Sequence, residues 1–159
     1  MRKVILAEAA LVLLLAGLMF LLLASKEPRM DITAQEVHDT FSSIKGNVEI
    51  DLADELRIRN QLGINPAEHD LVVYYSSSTD AMSVYEFLLI RTDDASVDEI
   101  QTILEEHIST RLEAFRGYGE FQTALLEKAI LKTYGNYICL VVTDEPEIWL
   151  EAIKALLEV

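Results

Sequence analysis

Val84-Tyr85-Glu86-Phe87-Leu88-Leu89-Ile90 carries one charge, Glu86, in an otherwise apolar run. Aromatic and branched residues on both alternating faces predict a strand central in its sheet. A polar turn, Ser76 to Ala81, separates it from Leu71-Val72-Val73-Tyr74-Tyr75, which reads as a second strand. Downstream, Arg91-Thr92-Asp93-Asp94 leads into a helical stripe of Ile100, Ile103, Leu104, Ile108, Leu112 and Phe115, beginning at about Val97. Strand, turn, strand and helix make one β-β-α unit.

A second such unit follows. Arg116-Gly117-Tyr118-Gly119 breaks the helix, and Phe121 to about Glu127 predicts a short one. Ala129 to Thr133 and Tyr137 to Val142 read as a hairpin around Gly135-Asn136. Ile148 to Leu157 is the closing helix, with Leu150, Ile153, Leu156 and Leu157 expected inward. Thr143-Asp144-Glu145 echoes Thr92-Asp93-Asp94 at an offset of 51 residues. The expected fold is α+β: a two-layer domain with an antiparallel sheet of about four strands, built from two β-β-α units. Ahead of the sheet, Thr33-Ala34-Gln35-Glu36 is a capping box before Val37, Phe41 and Ile44. Leu52, Leu56 and Ile58 suggest another short helix that stops before Gly63.

The first residues set the compartment. Val4 to Ala24 is apolar except for Glu8, and as a helix it would reach roughly 31 Å, the thickness of a bilayer's hydrocarbon core. Arg2 and Lys3 precede it, which favours a cytoplasmic N-terminus and a domain outside. Cleavage as a secretory signal is the alternative, but the apolar core is longer than such signals use, and Ser25 stands where a lipoprotein would need cysteine. The expected organisation is an anchor over 1–24, a polar tether over 25–30 and an extracytoplasmic domain over 31–159, at the cell membrane and single-pass. From Asp31 onward the chain has 9 Lys and Arg against 25 Asp and Glu, a net charge of −16. Such a surface repels nucleic acid and anionic headgroups.

Few residues point to chemistry. Asp93, Asp94, Asp98 and Glu99, like Asp144, Glu145 and Glu147, sit where helices begin, which suits the helix dipole and lacks the spacing of a calcium loop. His38, His69 and His107 are scattered, with no paired spacing for a metal. Cys139, mid-strand and alone, reads as an inert core residue. Glu86 stands apart: a carboxylate in an apolar strand is solvated, paired (with Arg111 or Arg91) or used to contact a ligand.

From Phe115 to Lys154 the sequence resembles the C-terminal half of a bacterial family called domain of unknown function 4358. The resemblance rests on Phe115, Gly117, Tyr118, Gln122, Leu125, Leu126, Glu127, Ala129, Gly135, Asn136 and Tyr137. Where that family often has Ala-Pro-Glu, this chain has Gly119-Glu120-Phe121. The resemblance implies export and membrane tethering and supplies no activity to carry over; no cofactor is expected.

The expectation is a non-enzymatic interaction module in the bacterial envelope. It would be held to the membrane through Val4–Ala24, with a protein or envelope component as partner. The alternative is a small-molecule or ion-binding receptor-like module. An envelope hydrolase is disfavoured, because no triad, metal set or isolated acid pair can be named. Glu86, Tyr118 and Gln122 are the expected contact residues.

Overall fold

The computed structural model describes residues 27–159, with Leu13 and Leu15 ahead of them. The expected anchor therefore lies almost wholly outside the described residues. Among the described residues no helix is long and apolar enough to cross a membrane.

The elements run α1 (Ala34–Ile44), β1 (Asp51–Leu52), α2 (Glu55–Leu62), β2 (Leu71–Ser76), β3 (Glu86–Arg91), α3 (Val97–Phe115), α4 (Glu120–Leu126), β4 (Ile130–Tyr134), β5 (Tyr137–Val142) and α5 (Pro146–Leu157). Five antiparallel strands form one sheet in the order β1-β2-β3-β5-β4. The added strand, β1, is two residues long, too short for alternation to reveal. It takes Leu52 out of the expected second helix; Asp54 caps α2 instead by accepting from the Arg57 N–H at 2.8 Å.

The sheet is covered on both faces, so the domain has three layers rather than the expected two. One face carries Tyr74, Leu88, Ile90, Ile138 and Leu140 beneath α2, α3 and α4. The other carries Val73, Tyr75, Phe87, Leu89, Cys139 and Val141 beneath α1 and α5. This is the arrangement that β3 and β5 require. Their side chains are apolar on alternate positions of both faces, and Leu88, Leu89, Leu140 and Val141 are all fully buried.

The two β-β-α units are present, but their helices lie on opposite faces, and the register says why. Glu86 pairs with Val142 and Leu88 with Leu140, so even-numbered residues of β3 and β5 share a face. An offset of 51 residues is odd. It turns Thr143 to the other side from Thr92, and the chain leaves the sheet towards opposite layers. In α5 the buried stripe is Pro146, Trp149, Ile153 and Leu157, one position earlier than expected at Leu150. Trp149 enters an aromatic cluster, edge-on to Phe41 at 4.8 Å, while Phe41 stacks on Tyr75 at 4.0 Å.

The chain enters this domain under restraint, and the contacts begin inside the expected tether. The Arg29 N–H donates to the Leu157 carbonyl at 3.1 Å, and the Tyr137 hydroxyl donates to the Arg29 carbonyl at 2.7 Å. Arg91 donates to the Met30 carbonyl. Arg29 also pairs with Asp31 at 3.0 Å and Glu36 at 3.1 Å. All of these partners but Asp31 and Glu36 sit at the end of the sheet where β3 finishes and β5 starts.

Candidate functional site

Glu86 opens β3 and is 1 % exposed. Its even position aims it at α3, where His107 and Arg111 stand four residues apart on one helical face. Arg111 Nη1 pairs with Glu86 Oε1, and His107 Nε2 donates to Glu86 Oε2 at 2.9 Å. Burial pushes the His107 pKa below its ordinary value, with the Gln61 backbone acting the other way. Burial likewise lowers that of Arg111. One carboxylate faces two candidate cations, and the guanidinium already neutralises it. A proton on the imidazole would place a second positive charge in the same buried space.

Within this cluster the charge of the carboxylate is met by Arg111. Glu86 takes up one ring nitrogen of His107, accepting from Nε2. Its outward effect passes through Arg111, whose Nη2 donates to the Ser83 carbonyl at 2.7 Å. Gln122 Nε2 donates to the neighbouring Met82 carbonyl at 3.3 Å. Two side chains from different helices thus hold the loop between β2 and β3 from beneath.

That loop is one wall of an open cleft of about 510 Å³. The other walls are the turn after α1 (Lys45 to Glu49), the first residues of α4, and the β5–α5 turn, with Trp149 below. Met82 is 45 % exposed and Phe121 59 % exposed. Tyr85 packs against Phe121 with ring centroids 6.4 Å apart. Glu49, Asp80, Asp144 and Glu145 also line the cleft, with Lys45 the one basic residue. Among the described residues none of these four carboxylates has an ion-pair partner within 4.0 Å. The Tyr85 pKa is raised, first by burial and then by the charge of Asp144. The cleft therefore offers aromatic surface beside uncompensated negative charge.

The structure does not bring the three expected contact residues together. Glu86 lies buried in the cluster, Gln122 lines the cleft, and Tyr118 is 69 % exposed on a separate shallow recess with Glu120 and Glu127. Of the two partners foreseen for Glu86, Arg111 takes it, while Arg91 turns to Asp70, Tyr137 and the entering chain. Sequence reasoning set His107 aside, although its spacing from Arg111 and the lone charge in β3 were the available signals. Of the cleft residues, Gln122, Asp144 and Glu145 drew notice in the sequence, but four separate segments supply the cleft and nothing in the sequence joined them. Cys139 is fully buried with its thiol pKa pushed up to about 12, as an inert core cysteine should be. Among the described residues no three His, Cys, Asp or Glu side chains converge as a metal set.

In comparison with known proteins, the family described as Domain of unknown function (DUF4358) matches residues 43–143. The matched segment begins before β1 and ends with Thr143, so it holds the whole sheet and the α2–α4 layer. No curated protein and no solved structure matches the chain.

Proposed function

The chain belongs to the DUF4358 family, and from that premise we propose that it is a non-enzymatic interaction module at the bacterial cell membrane. The segment Val4–Ala24 would hold it there as a single span, with the N-terminus in the cytoplasm and the domain outside. The apolar length of that segment and the basic residues before it support this placement.

The observation that carries the binding role is the cleft. It combines a usable volume, exposed aromatic and apolar side chains, and four carboxylates without ion-pair partners among the described residues. Unpaired charge beside exposed apolar surface is what a partner's surface completes. The buried Glu86 cluster supports the non-enzymatic reading, because its carboxylate is already neutralised by Arg111. Gln122 is taken as a contact residue at the cleft's edge, and Glu86 as the residue that orients Arg111 beneath it.

A photo-crosslinking residue at Phe121, in living cells, should give a discrete adduct, and the same residue at Glu105 on the exposed side of α3 should not. Equal labelling from both positions, or none from either, would sink the proposal. Alkaline phosphatase fused after Val159 should be active, and an inactive fusion would reverse the topology.

A further inference from the structure

Resting on that reading, we infer that the cleft takes an extended, basic peptide segment of an exported protein, reached from the side of the domain that faces away from the membrane. Two observations carry this: the charge of the cleft, and its position relative to the chain's entry.

The cleft's carboxylates come from three separate loops. Glu49 follows α1, Asp80 lies between β2 and β3, and Asp144 and Glu145 follow β5. One ammonium group would neutralise one of them. Charges distributed over several walls match an occupant that brings several cations along a length, as a Lys- or Arg-bearing strand does. Tyr85, Phe121 and Met82 line the same cleft. They suit the aliphatic stems of such side chains, or an apolar residue between two basic ones, and the rings add attraction for the cation itself. A second copy of this chain fits poorly, since each domain carries −16 from Asp31 onward and two would repel. Anionic lipid is excluded by the same sign.

The position follows from the register. The entering chain is fastened through Arg29 and Met30 to Leu157, Tyr137 and Arg91, at the end of the sheet where β5 begins. The cleft lies where β5 ends and β3 begins. The two ends are separated by the six-residue length of β5, roughly 20 Å. Pro28 packs close to the Gly135 turn, so the fastening begins four residues past Ala24. A span ending at Ala24 would set the fastened end against the bilayer and the cleft end outward.

The test uses the full chain in nanodiscs, with a fluorescent peptide of alternating Lys and Leu as probe and its Glu-for-Lys counterpart as control. The basic peptide should bind, and the affinity should fall steeply with added salt; the acidic one should not bind. Asp144→Lys with Glu145→Lys should weaken binding by at least about tenfold, and Phe121→Ala should weaken it further. Glu105→Lys with Glu113→Lys alters net charge equally on α3 and should change binding less than about threefold. Equal losses from both charge-reversal pairs would mean diffuse attraction and would overturn the cleft as the site. If Phe121 crosslinks a partner in cells through a segment without basic residues, the basic occupant is wrong while the interaction module stands. If Phe121 crosslinks nothing, the module itself fails.

Discussion

Glu86, Arg111 and His107 make the residue scale unusually demanding, because a single buried carboxylate serves two partners. Removing one member of a buried pair leaves an uncompensated charge. Arg111→Met should therefore destabilise the domain by about 3–5 kcal/mol, read from denaturant melts. Replacing both charges with apolar side chains of similar size removes that penalty, and Glu86→Leu with Arg111→Met should recover most of the loss. A double variant as unstable as the single one would show that Arg111 acts chiefly through its bond to Ser83. His107 gives a pH signature. Its folded pKa lies below the ordinary value of 6.5, so around that pH the unfolded chain binds a proton that the folded chain refuses. The contribution is complete above pH 6.5 and is lost as the pH falls through it, with a slope of at most about 1.4 kcal/mol per pH unit. His107→Gln, which can still donate to Glu86, should flatten stability between pH 7.5 and 5.5, and an unchanged slope would place the titration elsewhere. The sequence showed the odd carboxylate and one of its partners. It could not show whether the carboxylate opened onto solvent, because that depends on which face α3 covers.

Among the elements, the junction of α3 and α4 illustrates two different uses of glycine. Gly117 has φ +96°, a region that side chains with a Cβ rarely enter. Gly119 has a negative φ, but a Cβ there would lie 2.8 Å from Phe115 Cδ1 and 3.1 Å from Gln122 Oε1. Gly119→Ala should cost about 1–3 kcal/mol through overpacking, and trimming the neighbour with Phe115→Leu should recover part of it. Gly117→Ala should cost a similar amount through backbone strain, and the Phe115 change should not rescue it. Paired thermal melts separate the two, and rescue of both variants would refute the distinction. Most elements were legible because local chemistry wrote them: the Thr33–Glu36 capping box, the stripe of α3, and the Gly135-Asn136 hairpin, where Gly135 alone takes positive φ. The layers were less legible. The apolar faces of β3 marked a central strand, and the T-D echo suggested a symmetric pair of units under one layer of helices. The odd offset between the echoes decides for opposite faces.

At the scale of the whole molecule, the layers, the entry and the cleft combine into a polarity along the strands. The family match takes in the sheet and the α2–α4 layer, whereas α5, which supplies Trp149 to the cleft floor, lies beyond it. The cleft is thus assembled across that boundary, on a framework that the matched segment supplies and a layer that it does not. Arg29 binds the Leu157 carbonyl and the Glu36 carboxylate at once, and on the proposed anchoring this fastening would set the orientation of the domain. In nanodiscs carrying paramagnetic headgroup lipids, amide broadening should be strongest near Asn136 and Leu157 and weakest near Asp80 and Asp144. Arg29→Ala with Tyr137→Phe removes Arg29's side-chain ion pairs and the Tyr137 bond to its carbonyl, so the gradient should flatten while the fold persists. A gradient of the opposite sense in the unaltered chain would turn the cleft towards the bilayer. An even pattern in both proteins would mean that the domain tumbles freely, and that the contacts at Arg29 stabilise the fold without orienting it.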